Sequence, residues 1–427
     1  MNIAFKKIKY APIMIGIAYL LFTVLLFFVG PFDWPIKNSD TLSLFLASCF
    51  LALILGFWLG VYKSEQQKSF DSWKFYFRLG AVASVALLFP STYAYTGKWP
   101  WEIFSVIGNQ GTAYGEMLAA LAANESGIRA YVALARGLFA PFVFCVIPLG
   151  ILNWKKLNYI DVFLLGAHLF AILIFSFMRG TDRETGDLVF FVFATIILVI
   201  CRRIVNRGRL SFKLSQFIIW PLLLSIIFLS ALSLFIDRKE SRMGGTEAFC
   251  IAEGVVCSAH DPNASSFERK SMFGIEMISA YLSQGYYGLS LALNEDFTST
   301  FGLGHSAFLT NVFTKAVDDS IYERSYLYKE RAVGWDDRSQ WSTIFPWIAS
   351  DVGFPVVPFV ICGIGFLWGA AWRSAVCGKN DTAVLVYLFL CLLVVYIPAN
   401  NQLTQTFDSY FSFLFWLIFW AFQRTRK

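Results

Sequence analysis

Ten stretches of this chain are apolar for long enough to enter a bilayer, and few folds tolerate that. They run, each to within a few residues, over 10–30, 41–62, 78–97, 131–153, 160–178, 187–201, 217–236, 352–372, 382–398 and 408–423. About twenty apolar helical residues span the hydrocarbon layer. The sixth run is short and is expected to continue past Arg202. Composition agrees: 57% of residues are hydrophobic and only 15% charged, against roughly 25% charged in a soluble domain. The expected fold class is an all-α polytopic membrane protein of about ten helices. It divides into 1–235 (seven spans), one large loop over 236–350, and 351–427 (three spans).

Charge distribution orients the spans. Short cytoplasmic loops carry an excess of Lys and Arg. The N-terminal Lys6, Lys7 and Lys9 are followed by basic clusters at 63–78, 155–156, 202–213 and 373–379, and by Arg424, Arg426 and Lys427 at the end. Only Glu65, Asp71, Asp161 and Asp381 oppose this set. Both termini are therefore expected in the cytoplasm and the 236–350 loop outside it. The basic residues sit at helix ends and form no stripe interleaved with aromatics, which leaves no nucleic-acid face. The run Tyr10–Val29 is too long for a signal core, and Pro31-Phe32-Asp33-Trp34-Pro35 follows it instead of a small-residue cleavage site, so it reads as an uncleaved first helix.

Within the long loop, Cys250 and Cys257 lie close together among Gly, Glu and Ser. On an oxidising side of the membrane they are expected to form a disulfide. The other six cysteines fall in or beside the spans, and none has metal-ligand spacing with a histidine. Residues 268–294 carry Met272, Ile275, Ile278, Tyr281 and Leu282 near one face, the pattern of an amphipathic helix lying on or in the membrane.

Three arginines break the charge rule. Arg136 stands near the start of the fourth span. Arg179 and Arg183 stand between the fifth and sixth, in Met-Arg-Gly-Thr-Asp-Arg-Glu-Thr-Gly-Asp. Guanidinium forks pair bidentately with phosphate, so three of them at one face suit a lipid pyrophosphate. The plainer reading is that each snorkels or pairs with Asp182, Glu184 or Asp187. Asp182 or Glu184 would also supply a carboxylate base for a hydroxyl acceptor.

The loop offers further candidates. Tyr281, Gln284, Tyr286 and Tyr287 combine aromatic faces with an amide, as sugar sites do, although an interfacial aromatic belt has the same composition. His305, in Gly-Leu-Gly-His-Ser, is a candidate base, since histidine is the side chain type suited to proton transfer near neutral pH; a lone loop histidine is more often structural. Trp341 opens the segment that leads to Asp351, which either caps the next helix or lines the site.

Taken in order, these segments resemble the bacterial oligosaccharide repeat-unit polymerases, the Wzy-type O-antigen and capsule polymerases. The segments are the Pro-containing span with Arg136, Arg-Gly-Thr-Asp-Arg, Gln-Gly-Tyr-Tyr-Gly-Leu-Ser, Gly-Leu-Gly-His-Ser, and Trp-Ser-Thr-Ile-Phe-Pro-Trp-Ile-Ala-Ser-Asp-Val-Gly-Phe. The likeness covers roughly 130–375. The family's arginine turn has a small residue before the arginine; here Asp182 precedes Arg183 and Arg179 precedes the glycine, so either arginine corresponds.

The resemblance implies a metal-independent, GT-C-like membrane glycosyltransferase of the bacterial inner membrane, without cofactor, in lipopolysaccharide or other surface polysaccharide biosynthesis. Its donor would be the growing glycan on undecaprenyl pyrophosphate, and its acceptor the next lipid-linked repeat unit at the periplasmic face. A chain-length regulator is the implied partner. An O-antigen ligase shares this architecture. A transporter or flippase of the same lipid-linked sugars would show internal repeats and mid-membrane charge, and neither is evident.

Overall fold

A computed structural model of the chain describes residues 3–63, 69–107, 110–123, 127–207, 214–243, 245–252, 256–261, 263–337, 339–378 and 380–423. Of the residues used above to orient the spans, Glu65, Lys68, Arg209, Lys213, Lys379, Arg424, Arg426 and Lys427 lie outside these.

The described residues are mostly helical. Every apolar run coincides with a helix: Ala11–Val29, Ser39–Tyr62, Trp73–Thr96, Ile128–Leu152, Tyr159–Met178, Arg183–Arg207, Leu214–Met243, Val357–Cys377, Thr382–Tyr396 and Phe407–Phe422. Seven helices among the described residues are long and apolar enough to cross a membrane; Thr382–Tyr396 and Phe407–Phe422 are apolar but shorter. The sixth helix runs well past Arg202, because only charge, not a helix breaker, ends the apolar run there.

The chain forms two compact units. The first contains the described residues of Met1–Lys6, Ser69–Thr246 and Lys379–Asp381. Its helices Trp73–Thr96 and Ile128–Leu152 meet where Gly80 rests against the carbonyl of Phe142. Asp161 is wholly buried and tied to Lys74 at 2.9 Å and Arg78 at 2.7 Å, so one of the few acids opposing the basic loops is their structural partner. Asp161 also closes a capping box with Asn158 at the start of Tyr159–Met178, satisfying helix-end donors. Leu88, Val106, Ala113, Ala171, Ile174, Phe175 and Met178 form an apolar core beneath the 179–187 turn. Helix Gln110–Ala123, which no apolar run marks, packs by Gly111 against Ser241 of Leu214–Met243.

The second unit contains the described residues of Lys7–Lys68, Glu247–Gly378 and Thr382–Lys427. Its closest helix crossing joins Ser39–Tyr62 to Val357–Cys377. Gly56 and Gly60 lie on the carbonyls of Cys362 and Phe366, while Gly365 and Gly369 lie on those of Leu53 and Phe57. Two glycines four apart on each helix let the backbones touch, the usual device where lipid removes the hydrophobic drive for helix association. Helix Thr382–Tyr396 is buried on nearly every side, which accounts for its uniformly apolar sequence.

The segment read as one long loop is largely ordered structure. Helix Leu214–Met243 takes up its first residues. An antiparallel hairpin, Ala248–Ala252 with Val256–Ala259, departs from the all-α expectation; Cys250 and Cys257 face each other in it and are joined by a disulfide. Helices Ser266–Ala292, Ala307–Ala316, Tyr326–Ala332 and Ile344–Val352 follow. Met272 and Ile275 of Ser266–Ala292 are exposed, but every residue from Ser283 to Ser290 is buried. The amphipathic pattern therefore holds for its first half only; the second half is core.

Candidate functional site

In the first unit the 179–187 turn is built from its own side chains. Gly180 takes a positive φ of 59°, which lets the chain reverse after Met178. Ser176 donates to the Thr181 carbonyl and accepts from Thr185 at 2.8 Å. The Arg179 guanidinium pairs with Glu184, whose other oxygen accepts from Thr181 at 2.9 Å. Arg183 reaches Asp187 at 4.0 Å.

Arginines from three helices gather around this turn. Arg136 lies 4.2 Å and Arg179 5.1 Å from the ring centroid of Phe175. Arg129, Arg136 and Arg179 all lie within 6 Å of the Tyr95 ring, at 5.4, 5.9 and 5.1 Å. Arg136, Arg179 and Arg183 all act electrostatically on Glu184. The structure thus brings the three sequence-selected arginines to one place. Three more, which sequence reasoning passed over, join them: Arg129 at the Tyr95 ring, Arg238, which donates to Asp182 at 2.6 Å, and Arg242, which stands 3.7 Å from the other Asp182 oxygen. Arg238 and Arg242 stack on Phe177 and Tyr114. Their only sequence signal was the charged run 237–242, which was counted with the long loop.

Among the described residues three guanidinium donors in this cluster are buried without a hydrogen-bond acceptor, Arg179 Nε, Arg242 Nε and Arg242 Nη2, the last with only its 3.7 Å ion pair to Asp182. Leaving such donors unmade is costly. The arrangement favours an anion with several oxygens. It does not favour Asp182 or Glu184 as a base. Each carboxylate is held by guanidinium groups, Glu184 by Arg179 and Asp182 by Arg238 and Arg242. Both are placed as counter-ions, the plainer of the two readings the sequence leaves open for them.

The second unit brings together two motifs that are remote in sequence. Asp351 does not cap the following helix. Its Oδ2 accepts the His305 backbone N–H and the His305 Nδ1–H, both at 2.9 Å. Its Oδ1 accepts the Gly304 N–H at 2.7 Å and the Thr300 hydroxyl. Burial works against the charge of Asp351, but these four donors outweigh it and hold the carboxyl below the usual aspartate range. A carboxylate only accepts, so Nδ1 carries the imidazole proton and Nε2 of the neutral ring is an acceptor. The Tyr410 hydroxyl donates to it at 2.8 Å.

The loop around His305 is clamped. Its carbonyl accepts from Asn401 Nδ2 at 2.7 Å and Thr404 Oγ1 at 2.6 Å. The two described non-glycine residues with positive φ, Phe301 at 56° and Asn400 at 144°, sit on the two segments that meet here. Such strain persists where surrounding structure enforces it, and it clusters at functional sites. His305 remains 31% exposed while Asp351 is 8% exposed, an oriented ring with a reachable edge.

The expected sugar platform is a different matter. Tyr286 is fully buried and shares a hydrogen bond of 2.9 Å with Thr23. Tyr287 stacks on Trp34 and packs edge-on to Trp335, and Gln284 is buried. These three are core residues with their faces already covered, a correction to their reading as a sugar-binding surface. Tyr281 and Trp341 form an edge-to-face pair 4.2 Å apart and are half-buried, so only this pair of the predicted set keeps aromatic surface near solvent.

Glu330 is a third carboxyl of note. It is wholly buried, accepts from Ser342 at 3.2 Å, and has no hydrogen-bond partner for Oε2 among the described residues. Burial pushes its carboxyl well above the usual range. A Cβ on Gly288 would come within 3.0 Å of Glu330 Oε2, Trp335 Nε1 and Ser342 Oγ, so glycine is required there by close approach. Among the described residues no three His, Cys, Asp or Glu side chains are placed to hold a metal ion. Compared with known proteins, the chain matches no family model, no curated protein and no solved structure.

Proposed function

We propose that this chain is a membrane glycosyltransferase that polymerises oligosaccharide repeat units carried on a polyprenyl pyrophosphate, with the growing glycan as donor and the next lipid-linked unit as acceptor. The observation that carries this reading is the cluster of arginines at the 179–187 turn, with three buried guanidinium donors that lack a hydrogen-bond acceptor among the described residues. A diphosphate leaving group develops negative charge as the anomeric bond breaks. Preplaced guanidinium groups in a water-poor setting stabilise that charge without reorganising. Such a leaving group needs no acid, so the remaining requirement is a base for the acceptor hydroxyl. The aromatic faces beneath the arginines add cation–π stabilisation and suit the start of an apolar tail. The reading places the work at the periplasmic face of a bacterial inner membrane, with a chain-length regulator as partner.

The test is the surface-glycan profile of the host lacking this gene, beside a complemented strain. Core bearing a single repeat unit, with the ladder lost, supports polymerisation. Loss of every repeat with lipid-linked polymer accumulating means a ligase. Lipid-linked single units trapped in the cytoplasm mean a flippase. An unchanged profile overturns the glycan reading.

A further inference from the structure

We propose that the stacked rings of Tyr93, Trp99 and Trp101 form an anchor in the headgroup zone of the membrane, with the lipid interface as their partner. The inference goes beyond the glycosyl-transfer reading and does not depend on it. It starts from helix Trp73–Thr96 of the first unit, which is long and apolar enough to cross a membrane. Phe75, Val82, Phe89 and Tyr93 of this helix are exposed. Their spacings of seven, seven and four residues place them along one face. On a span, such a face is covered by lipid.

The chain then turns back onto this face. Gly97 ends the helix with a positive φ of 71°, a conformation that glycine adopts freely. Glu102 accepts the Trp99 backbone N–H at 2.6 Å and closes the turn Pro100–Glu102. Trp99 stacks on Tyr93 with ring centroids 5.0 Å apart, and Trp101 stacks on Trp99 at 5.2 Å with planes 6° from parallel. The Trp101 ring then lies 6.4 Å from that of Phe89, which stands about two helical turns, roughly 10 Å, before the helix end. Trp101 remains 63% exposed and Phe104 83%, whereas Ile103 and Val106 turn inward to the core.

A platform for a soluble saccharide would stand clear of the span. This stack lies back along it, on the side where the span faces lipid. Indole and phenol rings are apolar in body and polar at one tip, and they favour the depth of lipid headgroups. The anchor has a consequence for the arginines. Tyr95, with Arg129, Arg136 and Arg179 within 6 Å of its ring, follows Tyr93 by two residues, about 3 Å along the helix axis. Its ring packs edge-on against Phe175. An anchor at headgroup depth therefore holds the arginine cluster level with the lipid phosphates, and an anion reaches it in the plane of the membrane.

The experiment places the full chain in nanodiscs of phosphatidylcholine brominated either near the headgroup end or near the methyl end of its acyl chains. The signal is the tryptophan fluorescence that the wild type has and the double variant Trp99→Phe/Trp101→Phe lacks. The anchor predicts that bromine quenches this signal, and does so more strongly at the headgroup end. Quenching that is absent, or no stronger at the headgroup end, overturns it. So does an unquenched signal that changes when repeat-unit oligosaccharide released from its lipid is added, which would make the stack a saccharide platform. Should the double variant fail to fold, benzoylphenylalanine in place of Phe104 carries the decision: a photo-adduct with phospholipid supports the anchor, and its absence overturns it. No glycan substrate enters the quenching measurement, so a polymerase reading that fails in the host leaves this result standing.

Discussion

The guanidinium of Arg136 stands 4.2 Å from the ring centroid of Phe175, and Arg179, one helical turn beyond Phe175, lies 5.1 Å from the same ring. One aromatic ring thus has two cations within about 5 Å, Arg136 from helix Ile128–Leu152 and Arg179 from the turn after Met178. A guanidinium can stack on the ring and still present a fork, whereas an ammonium is a point charge. Arg136→Lys and Arg179→Lys are therefore each expected to slow polymer synthesis about tenfold, equal to about 1.4 kcal/mol of transition-state stabilisation. Alanine at either position is expected to abolish polymer while the protein still inserts. Glycan ladders scored against membrane protein levels check this, and full-length ladders from both lysine variants would show that fork geometry is dispensable.

Asp351 ties the His305 loop to helix Ile344–Val352, and its acidity predicts how that tie fails. Its folded carboxyl lies below the unfolded value, through donors that outweigh burial. The stability it contributes is complete above the ordinary aspartate value of about 3.9 and is lost as pH falls through the lowered folded value. Asp351→Asn is expected to remove this acid-side loss and to slow elongation by about a hundredfold, since the amide no longer enforces the Nδ1–H tautomer. Melting curves across the acid range, paired with elongation rates, check both parts. An Asn variant with wild-type rate would dismiss Asp351 as an orienting group.

How far these sites were legible depends on the kind of signal each left. Arg136, Arg179 and Arg183 were visible because a cation outside the cytoplasmic loops is an anomaly that needs no structure to detect. Arg238 and Arg242 leave no such anomaly, since a charged run beside a long loop is ordinary. His305 and Asp351 were each visible as polar residues in Gly- and Trp-rich segments, but their pairing spans 46 residues and Tyr410 lies 105 residues from His305. Only the fold supplies that juxtaposition. Tyr286 and Tyr287 misled because an aromatic run looks the same whether it faces a sugar or fills a core. The long apolar helices were legible because apolar length alone specifies them; helix Gln110–Ala123, the short helices between Ala307 and Val352, and the hairpin at Ala248–Ala259 were not, because none carries a long apolar run or, for the strands, enough residues to show alternation.

The crossing of Ser39–Tyr62 with Val357–Cys377 is expected to be intolerant of any side chain at its four glycines. A Cβ at Gly60 would run into the Phe366 carbonyl, backbone that no rotamer change can move. Gly60→Leu is expected to cost about 3 kcal/mol, the upper range for overpacking. Gly363, on the same helix with open space around it, is the control, and Gly363→Ala is expected to be nearly neutral. Thermal melting in detergent checks the pair; equal melting temperatures for Gly60→Leu and wild type would mean the helices do not touch.

Glu330 predicts a pH dependence of the opposite sign to that of Asp351. Burial favours its neutral form, so its folded carboxyl lies well above the unfolded one. Below the ordinary glutamate value of about 4.3, both states hold the proton and the group contributes fully. Above it the unfolded chain ionises while the folded chain must keep its proton, so stability declines by about 1.4 kcal/mol per pH unit until the raised folded value is reached. Glu330→Gln keeps the shape and the acceptor for Ser342 but cannot ionise. It is expected to match the wild type near pH 4 and to melt progressively higher than it as pH rises toward neutrality. Parallel melting curves across that range would mean that the carboxyl is ionised in the folded protein and finds a partner for its second oxygen.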